Sequence, residues 1–210
     1  MNRLWIFDFD GTLVNSEKSI KDCYIKITKQ LIPERIEFVK NIIIGPTLEE
    51  TISLILTKDK INLKETFIEK FKSEYDERLI FNTTTYPNAS SVLKALHSKK
   101  DKIAILTNKR KIPTQKLIKY FGWEKSFVWT ACLDENINAA NKSELLKSQN
   151  INYSEYKKIY LVGDTLGDAI AAKDNKIPFI LAKYGYGINQ DWLNTPIFKK
   201  ISCLNELLTI

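Results

Sequence analysis

Several chemistries are closed to this chain by what it has too little of. There is one histidine, His97, in 210 residues. It falls in a helical run with Leu93, Leu96 and Lys99, the setting of a surface or helix-end residue rather than a catalytic one. General acid–base work must then come from carboxylates or lysines. The three cysteines, Cys23, Cys132 and Cys203, are far apart and odd in number. No spacing among them matches a zinc site or a disulfide framework, so they are expected as reduced thiols. No apolar run approaches the roughly 20 residues of a membrane-spanning helix, and the first residues lead directly into a strand pattern instead of a signal-peptide layout. The expectation is a cytoplasmic protein with no membrane partner. Glycine and proline are sparse, 7 and 6, against 44% hydrophobic and 27% charged residues, the composition of an ordinary globular chain without disordered tracts. Internal repeats are absent.

The formal net charge of +7 raises the question of a nucleic-acid partner. Residues 15–85 carry 12 Lys+Arg and 12 Asp+Glu, so the whole excess lies elsewhere. The basic groups there, Lys99-Lys100 and Lys109-Arg110-Lys111, are short and are not interleaved with aromatics as single-strand binding requires. Nucleic acid is therefore not the expected partner, and Arg110 is expected as a solvated charge.

What the chain does have is one stretch on which the rest depends, Trp5-Ile6-Phe7-Asp8-Phe9-Asp10-Gly11-Thr12-Leu13-Val14. Its first half is too apolar for a half-exposed hairpin strand and reads as a buried parallel strand, ended at Asp10-Gly11. Alternation along a strand sends Asp8 and Asp10 to the same side, which predicts two carboxylates sharing one small space. Gly11 lets the backbone turn beyond them.

Four helical patterns follow without a strand between them: Ser16–Ile32, Glu34–Ile44, a third capped by Thr47 with Glu50 at capping-box spacing, and Leu63–Phe81. From Tyr86 the pattern alternates. A helix opened by Pro87 precedes strand Lys102–Leu106. Helix Ile112–Phe121, strand Phe127–Cys132, helix Asn141–Ser148, strand Ile159–Val162, helix Leu166–Lys173 and strand Pro178–Ala182 complete the series. That is the repeat of an α/β fold, a Rossmann-like open parallel sheet. The expected organisation is a core of residues 1–14 and 86–210 with an inserted all-helical cap of residues 15–85. Leu204–Leu208 is expected to cover a sheet edge.

Ligands of open parallel sheets bind at the carboxyl ends of the strands. There the sequence places Asp8 and Asp10, then Thr107 and Asn108, then Gly163-Asp164-Thr165-Leu166-Gly167-Asp168. Four carboxylates at one rim repel unless a hard cation lies among them, and an oxygen-rich site suits Mg²⁺. A metal, a hydroxyl, an amide and a lysine around an aspartate pair fit phosphoryl transfer: the aspartate attacks phosphorus while the metal and a lysine offset the repulsion. Lys142 is the candidate lysine, with Lys147 as the alternative. Asp10 is placed to protonate the leaving oxygen and then to deprotonate water.

These residues resemble the motifs of the haloacid dehalogenase superfamily, in its phosphoglycolate-phosphatase-like group. Asp8-Phe9-Asp10-Gly11-Thr12-Leu13 matches the first motif, Thr107-Asn108 the second, Lys142 the third, and Gly163-Asp164-Thr165 with Asp168 the fourth. The resemblance implies Asp8 as nucleophile and Asp10 as acid/base. Thr107 and Asn108 would hold the phosphoryl group, and Lys142 would bridge it to the nucleophile. Mg²⁺ would lie on Asp8, Asp164 and the Asp10 carbonyl, with Asp168 beside it. Gly11, Lys109 and Gly45, the last in a segment like the family's substrate-facing loop, are expected to contact substrate. Asn15 and the Ser143-Glu144 pair after Lys142 depart from the pattern, and Lys142 is closer in sequence to Asp164 than in many relatives. The implied function is a phosphatase of a small phosphorylated metabolite, acting as a monomer or homodimer. A phosphomutase on the same core, a non-catalytic phosphate-binding scaffold and a nucleic-acid end phosphatase are the alternatives.

Overall fold

The computed structural model describes residues 2–210. The chain forms two compact units, one built from the segment ending at Asn15 together with Thr85–Ile210, the other from Ser16–Thr84.

The first unit is organised by β1 (Asn2–Phe7). Leu4, Trp5, Ile6 and Phe7 are all fully buried, as a strand must be when both faces of its sheet are covered. Two short strands, β2 (Val14–Asn15) and β3 (Thr84–Thr85), lie where the chain leaves and re-enters this unit. The remaining strands are β4 (Lys102–Thr107), β5 (Trp129–Cys132), β6 (Tyr156–Gly163), β7 (Phe179–Ala182) and β8 (Lys199–Ile201). With β1 they make one six-stranded sheet in the order β5-β4-β1-β6-β7-β8, and every pairing is parallel. The order reverses at β1, the topological switch point where such sheets bind ligands.

Alternation sorts the β1 side chains between two layers. Leu4 and Ile6 join Leu106, Leu161 and Phe179 in one core, whose helices are α7 (Lys142–Ser148) and α8 (Leu166–Asp174). Trp5 projects to the other face, where it stacks on Tyr160 with ring centroids 4.9 Å apart. Helix α5 (Ala89–Ser98) packs against β4, and α6 (Lys111–Tyr120) against β5.

The second unit contains α1 (Glu17–Leu31), α2 (Ile36–Lys40), α3 (Leu48–Ile55) and α4 (Lys64–Glu77). Its core is aromatic: Tyr24 of α1 lies 4.5 Å from Phe71 of α4, centroid to centroid, and Phe71 stacks on Tyr75 at 5.4 Å. The capping box expected at α3 is present, with Thr47 Oγ1 accepting from the Glu50 amide and the Glu50 carboxylate accepting from the Thr47 amide.

Several boundaries differ from the sequence reading. The second helix does not run over Glu34–Ile44. After a 3₁₀ turn it is helical only over Ile36–Lys40, because Ile42 and Ile44 are buried while Ile43 is 61% exposed, the alternation of extended backbone. The fourth helix ends at Glu77 and gives way to a 3₁₀ turn over Leu79–Asn82. Asn88 takes a left-handed conformation, φ 66°, so α5 starts at Ala89 rather than Pro87. The sheet edge beyond β7 is filled by β8, and Leu204–Thr209 forms a 3₁₀ turn beside α5, tied to it by Lys99 Nζ donating to the Leu208 carbonyl at 2.8 Å. His97 is exposed, and no two of the cysteines are joined in a disulfide among the described residues. Among the described residues no helix is long and apolar enough to cross a membrane.

Opposite the ligand-binding ends of the strands, Asp101 closes the base of the sheet. The side chain is 4% exposed and accepts from the Arg3 amide (3.1 Å), Arg3 Nε (2.9 Å) and Trp5 Nε1 (3.0 Å). Burial pushes its carboxyl up, but the Arg3 and Trp5 hydrogen bonds outweigh that and hold it below the usual value. A carboxyl depressed in the folded state stabilises above its unfolded pKa, and the benefit disappears as pH falls through the folded one. Asp101→Ala, which leaves a half-buried guanidinium and a buried indole N–H without their acceptor, is expected to cost about 2 kcal/mol by denaturant titration at pH 7. The deficit should narrow as the pH falls below about 4.

Candidate active site

Four segments deliver side chains to the carboxyl ends of the central strands. Asp8 extends β1, its amide donating to the Val162 carbonyl at 2.9 Å. The chain then folds back on itself, with the amides of Leu13 and Val14 donating to the Phe9 carbonyl and that of Gly11 to the Val14 carbonyl. Gly11 has φ +84°, and a side-chain carbon there would lie 2.2 Å from Asp164 Oδ2. Only glycine satisfies both the turn and the approach of the carboxylate. Its N–H is spent on the turn, donating to the Val14 carbonyl at 2.8 Å.

Lys142 opens α7, whose N-cap Asn141 accepts from the Glu144 amide. Its ammonium is buried between two carboxylates, 3.0 Å from Asp8 Oδ1 and hydrogen-bonded to Asp168 Oδ1. Lys147, on the last turn of the same helix, is exposed. Asp168 sits in the first turn of α8 and is wholly buried. Its Oδ2 accepts from the Thr165 amide (2.9 Å), Thr165 Oγ1 (2.7 Å) and the Asp164 amide (3.2 Å). Asp164 is also wholly buried, accepting from Thr12 Oγ1 at 3.0 Å and the Tyr186 amide at 2.7 Å.

Ligand oxygens of Asp8, Asp164 and Asp168 all lie within 4.8 Å of one another. Asp10 does not join them. The reverse turn ends the strand alternation that would send both aspartates to one place, and the Asp10 carboxylate is held by a second lysine, Lys109, at 3.1 and 3.0 Å from its two oxygens. The sequence reading of one shared space thus becomes two aspartates served by two lysines. Thr107, at the end of β4, is buried and its Oγ1 accepts from the Lys109 amide at 3.1 Å. Asn108 and Arg110, half-buried, follow on the same connection. Gly45 belongs to the helical unit, in the bend before α3.

One contributor was passed over in the sequence. The loop after β7 carries Tyr184-Gly185-Tyr186-Gly187, and besides the Tyr186 amide it supplies the Tyr184 hydroxyl, which donates to the Thr12 carbonyl at 3.0 Å. A side-chain carbon on Gly185 would lie 2.2 Å from the Asp164 Cβ and 2.4 Å from the Gly11 carbonyl. The available signal was position: a doubled Tyr-Gly directly after a parallel strand falls at the same rim as the aspartates.

Burial raises the Asp8 carboxyl to about 7, against the opposing pull of Lys142, with Asp168 adding to the rise. Burial likewise pushes Asp164 well above the ordinary range, helped by the charges of Asp8 and Asp168. For Lys142 burial acts downward, but the carboxylates of Asp168 and Asp8 overcome it and keep the ammonium protonated. Three buried carboxyl groups against one ammonium, with oxygens that are hard donors within 4.8 Å of one another, fit a divalent cation.

A family model described as haloacid dehalogenase-like hydrolase matches residues 5–182. The chain belongs to this family, within its phosphoglycolate-phosphatase-like group, and is a phosphatase. A phosphoglycolate phosphatase of Aquifex aeolicus is 30% identical over 88% of this chain and 86% of its own length. Pyrophosphatase PpaX of Halalkalibacterium halodurans is 25% identical over 87% and 83%. Among solved structures, the haloacid dehalogenase-like protein SP0104 from Streptococcus pneumoniae aligns with a TM-score of 0.81 at 23% identity, covering 99% of this chain and 97% of that one, which supports the fold.

The raised Asp8 carboxyl has a measurable consequence in metal-free protein. The folded state binds a proton that the unfolded state releases near pH 4, so this group's contribution falls as pH rises from about 4 to about 7. Asp8→Asn, which resembles the neutral acid, is expected to be more stable than wild type by a few kcal/mol at pH 8 in EDTA. Denaturant titrations at pH 8 and pH 5 should show that advantage shrink at the lower pH.

Proposed function

We propose that this is a cytoplasmic Mg²⁺-dependent phosphomonoesterase that acts on a small phosphorylated metabolite through an aspartyl-phosphate on Asp8. The observation that carries the reading is the Asp8 carboxylate, at the tip of the central strand and 3.0 Å from a buried lysine, beside two further buried carboxylates. Asp8, Asp164 and the Asp10 carbonyl would hold the metal, which when bound offsets the repulsion between an anionic nucleophile and an anionic phosphoryl group. Asp168 has one oxygen on Lys142 and the other on the Thr165 turn, so we assign it to positioning both.

The chain's own residues then divide the reaction. An Asp8 oxygen attacks phosphorus and the phosphorus bond to the leaving oxygen breaks. Lys142 stays protonated and balances charge on the incoming phosphoryl group. Asp10 gives its proton to the leaving oxygen, and Thr107 and Asn108 hold the phosphoryl oxygens. In the second half Asp10 takes a proton from water as the water oxygen bonds to phosphorus. The bond from Asp8 to phosphorus breaks, phosphate departs and both aspartates are restored. Hydrolysis of phosphoglycolate releases glycolate and hydrolysis of pyrophosphate releases a second phosphate. The substrates named for the two relatives thus both part with an anion, and we infer the same of this enzyme's substrate.

Phosphate release from a panel of small phosphomonoesters and pyrophosphate, in Mg²⁺ or EDTA, tests this reading. Release should depend on the metal and fall to background in Asp8→Asn, while Asp10→Asn should lose about 10²–10⁴-fold in kcat. Acid quench with ³²P-labelled substrate should trap label on wild-type protein and none on Asp8→Asn. No release from any compound by folded protein with Mg²⁺ bound would overturn it.

A further inference from the structure

A helix leaves its first amides without partners of its own, and at α8 those amides follow directly on Asp164. Asp168 Oδ2 accepts from two of the amides ahead of it, those of Asp164 and Thr165. The next amide, that of Leu166, is met from another segment: it donates to Gln190 Oε1 at 2.7 Å. Gln190 is half-buried and follows a 3₁₀ turn over Tyr186–Asn189. Its own amide donates to the Gly187 carbonyl at 3.0 Å, and Trp192 Nε1 donates to the same carbonyl at 3.1 Å. Trp192 in turn stacks on Phe179 of β7, with ring centroids 6.1 Å apart. The turn lies directly against the Asp164 peptide, since a side-chain carbon on Gly187 would collide with the Asp164 carbonyl oxygen. Asp164 is therefore held at its carboxylate by the Tyr186 amide, and two residues further along its backbone by Gln190.

We propose that Gln190 is a positioning residue that sets how tightly the site holds its divalent cation, by fixing the backbone from which Asp164 reaches the metal. The inference rests on the phosphatase reading above, which gives Asp164 to the cation, and adds a residue that touches no reacting atom. Asp164 has oxygens of Asp8 and Asp168 within 4.8 Å, and whenever these groups are ionised their like charges drive its carboxylate outward. A carboxylate free to swing away must be drawn back and ordered by the incoming ion, which weakens binding, whereas one already held loses little freedom. Thr12 and the Tyr186 amide hold the two oxygens of Asp164, but both are in place only while the Asp164 backbone stays where it is. Gln190 secures that backbone. With its acceptor removed, the Leu166 amide is a donor without its partner at the opening of α8, and the turn that carries Tyr186 loses this tie to the helix. Groups that orient a metal's ligands in this way are worth about 10–100-fold in metal affinity.

Calorimetric titration of Mg²⁺ into the chain, first freed of metal with EDTA, tests this without turnover. Gln190→Met keeps the length of the side chain and removes the acceptor, and its Kd for Mg²⁺ should lie about 10–100-fold above that of wild type. Gln190→Glu keeps an acceptor oxygen and should bind at least as tightly as wild type. Gln190→Ser is too short to reach the Leu166 amide, and gives the same comparison should the methionine variant fail to fold. The Mg²⁺ concentration that half-saturates phosphate release should rise in parallel with Kd. A folded methionine or serine variant with the wild-type Kd overturns the inference, and so does Gln190→Glu weakened as much as Gln190→Met. Either result, with wild type binding Mg²⁺ and releasing phosphate, leaves the phosphatase reading intact. Wild type that binds no Mg²⁺ removes the metal from that reading, and this inference with it.

Discussion

Like charges held at close range out of water are the constraint around which the rest of the catalytic unit is arranged. Asp8 at the end of β1 meets Asp164 and Asp168, both at the junction of β6 and α8, with one oxygen of each within 4.8 Å of the others. Such a cluster costs stability unless each carboxylate is compensated. The surrounding geometry offsets part of that cost, residue by residue, and the raised Asp8 and Asp164 carboxyls show what is left over. Lys142 bridges Asp8 and Asp168, the Thr165 turn takes the second oxygen of Asp168, and Thr12 and the Tyr186 amide each donate to one oxygen of Asp164. The two glycines at the rim remove side chains where the Asp164 carboxylate and the Gly11 carbonyl must pass within touching distance. The apolar strand beneath gives this assembly a floor that does not yield, since Leu4 through Phe7 are packed on both faces.

Much of this was legible in the sequence because local rules and the global fold point the same way. The apolar run into Asp8, the alternation of helix and strand after Tyr86, and the acidic or hydroxylic residues after successive strands each have a short-range cause. Lys142 was recognisable by its place at the opening of a helix between two strands, and the capping box at Thr47 by spacing alone. The features missed depend on tertiary context. Lys199-Lys200-Ile201 is too short and too charged to announce a strand, and becomes β8 only because β7 presents an unpaired edge. Ile42 to Ile44 fits a helical stripe as well as an extended one until burial decides between them. The Tyr184-Gly185-Tyr186-Gly187 loop looked like a connection, since nothing in its own residues reveals the carboxylate it encloses.

The separation of Asp10 from the other carboxylates is the most informative departure. Period-two alternation holds only while the backbone stays extended, and the reverse turn begins as soon as Asp8 has been placed. Each aspartate then acquires its own lysine, one from the helix before β6 and one from the connection after β4. Two carboxyl groups that strand alternation would have sent to one place are thereby paired with different ammonium groups.

The edge strand β8 bears on a different property, the behaviour of the protein at high concentration. An open parallel sheet ends in a row of unpaired amides and carbonyls, a template on which another chain can add itself. Here that row is three residues long, two of them lysines, and Lys200 points its charge into water. A second molecule approaching along this edge meets like charge and finds too few hydrogen bonds to overcome it. The strand at this edge of the sheet thus also discourages another chain from adding itself there.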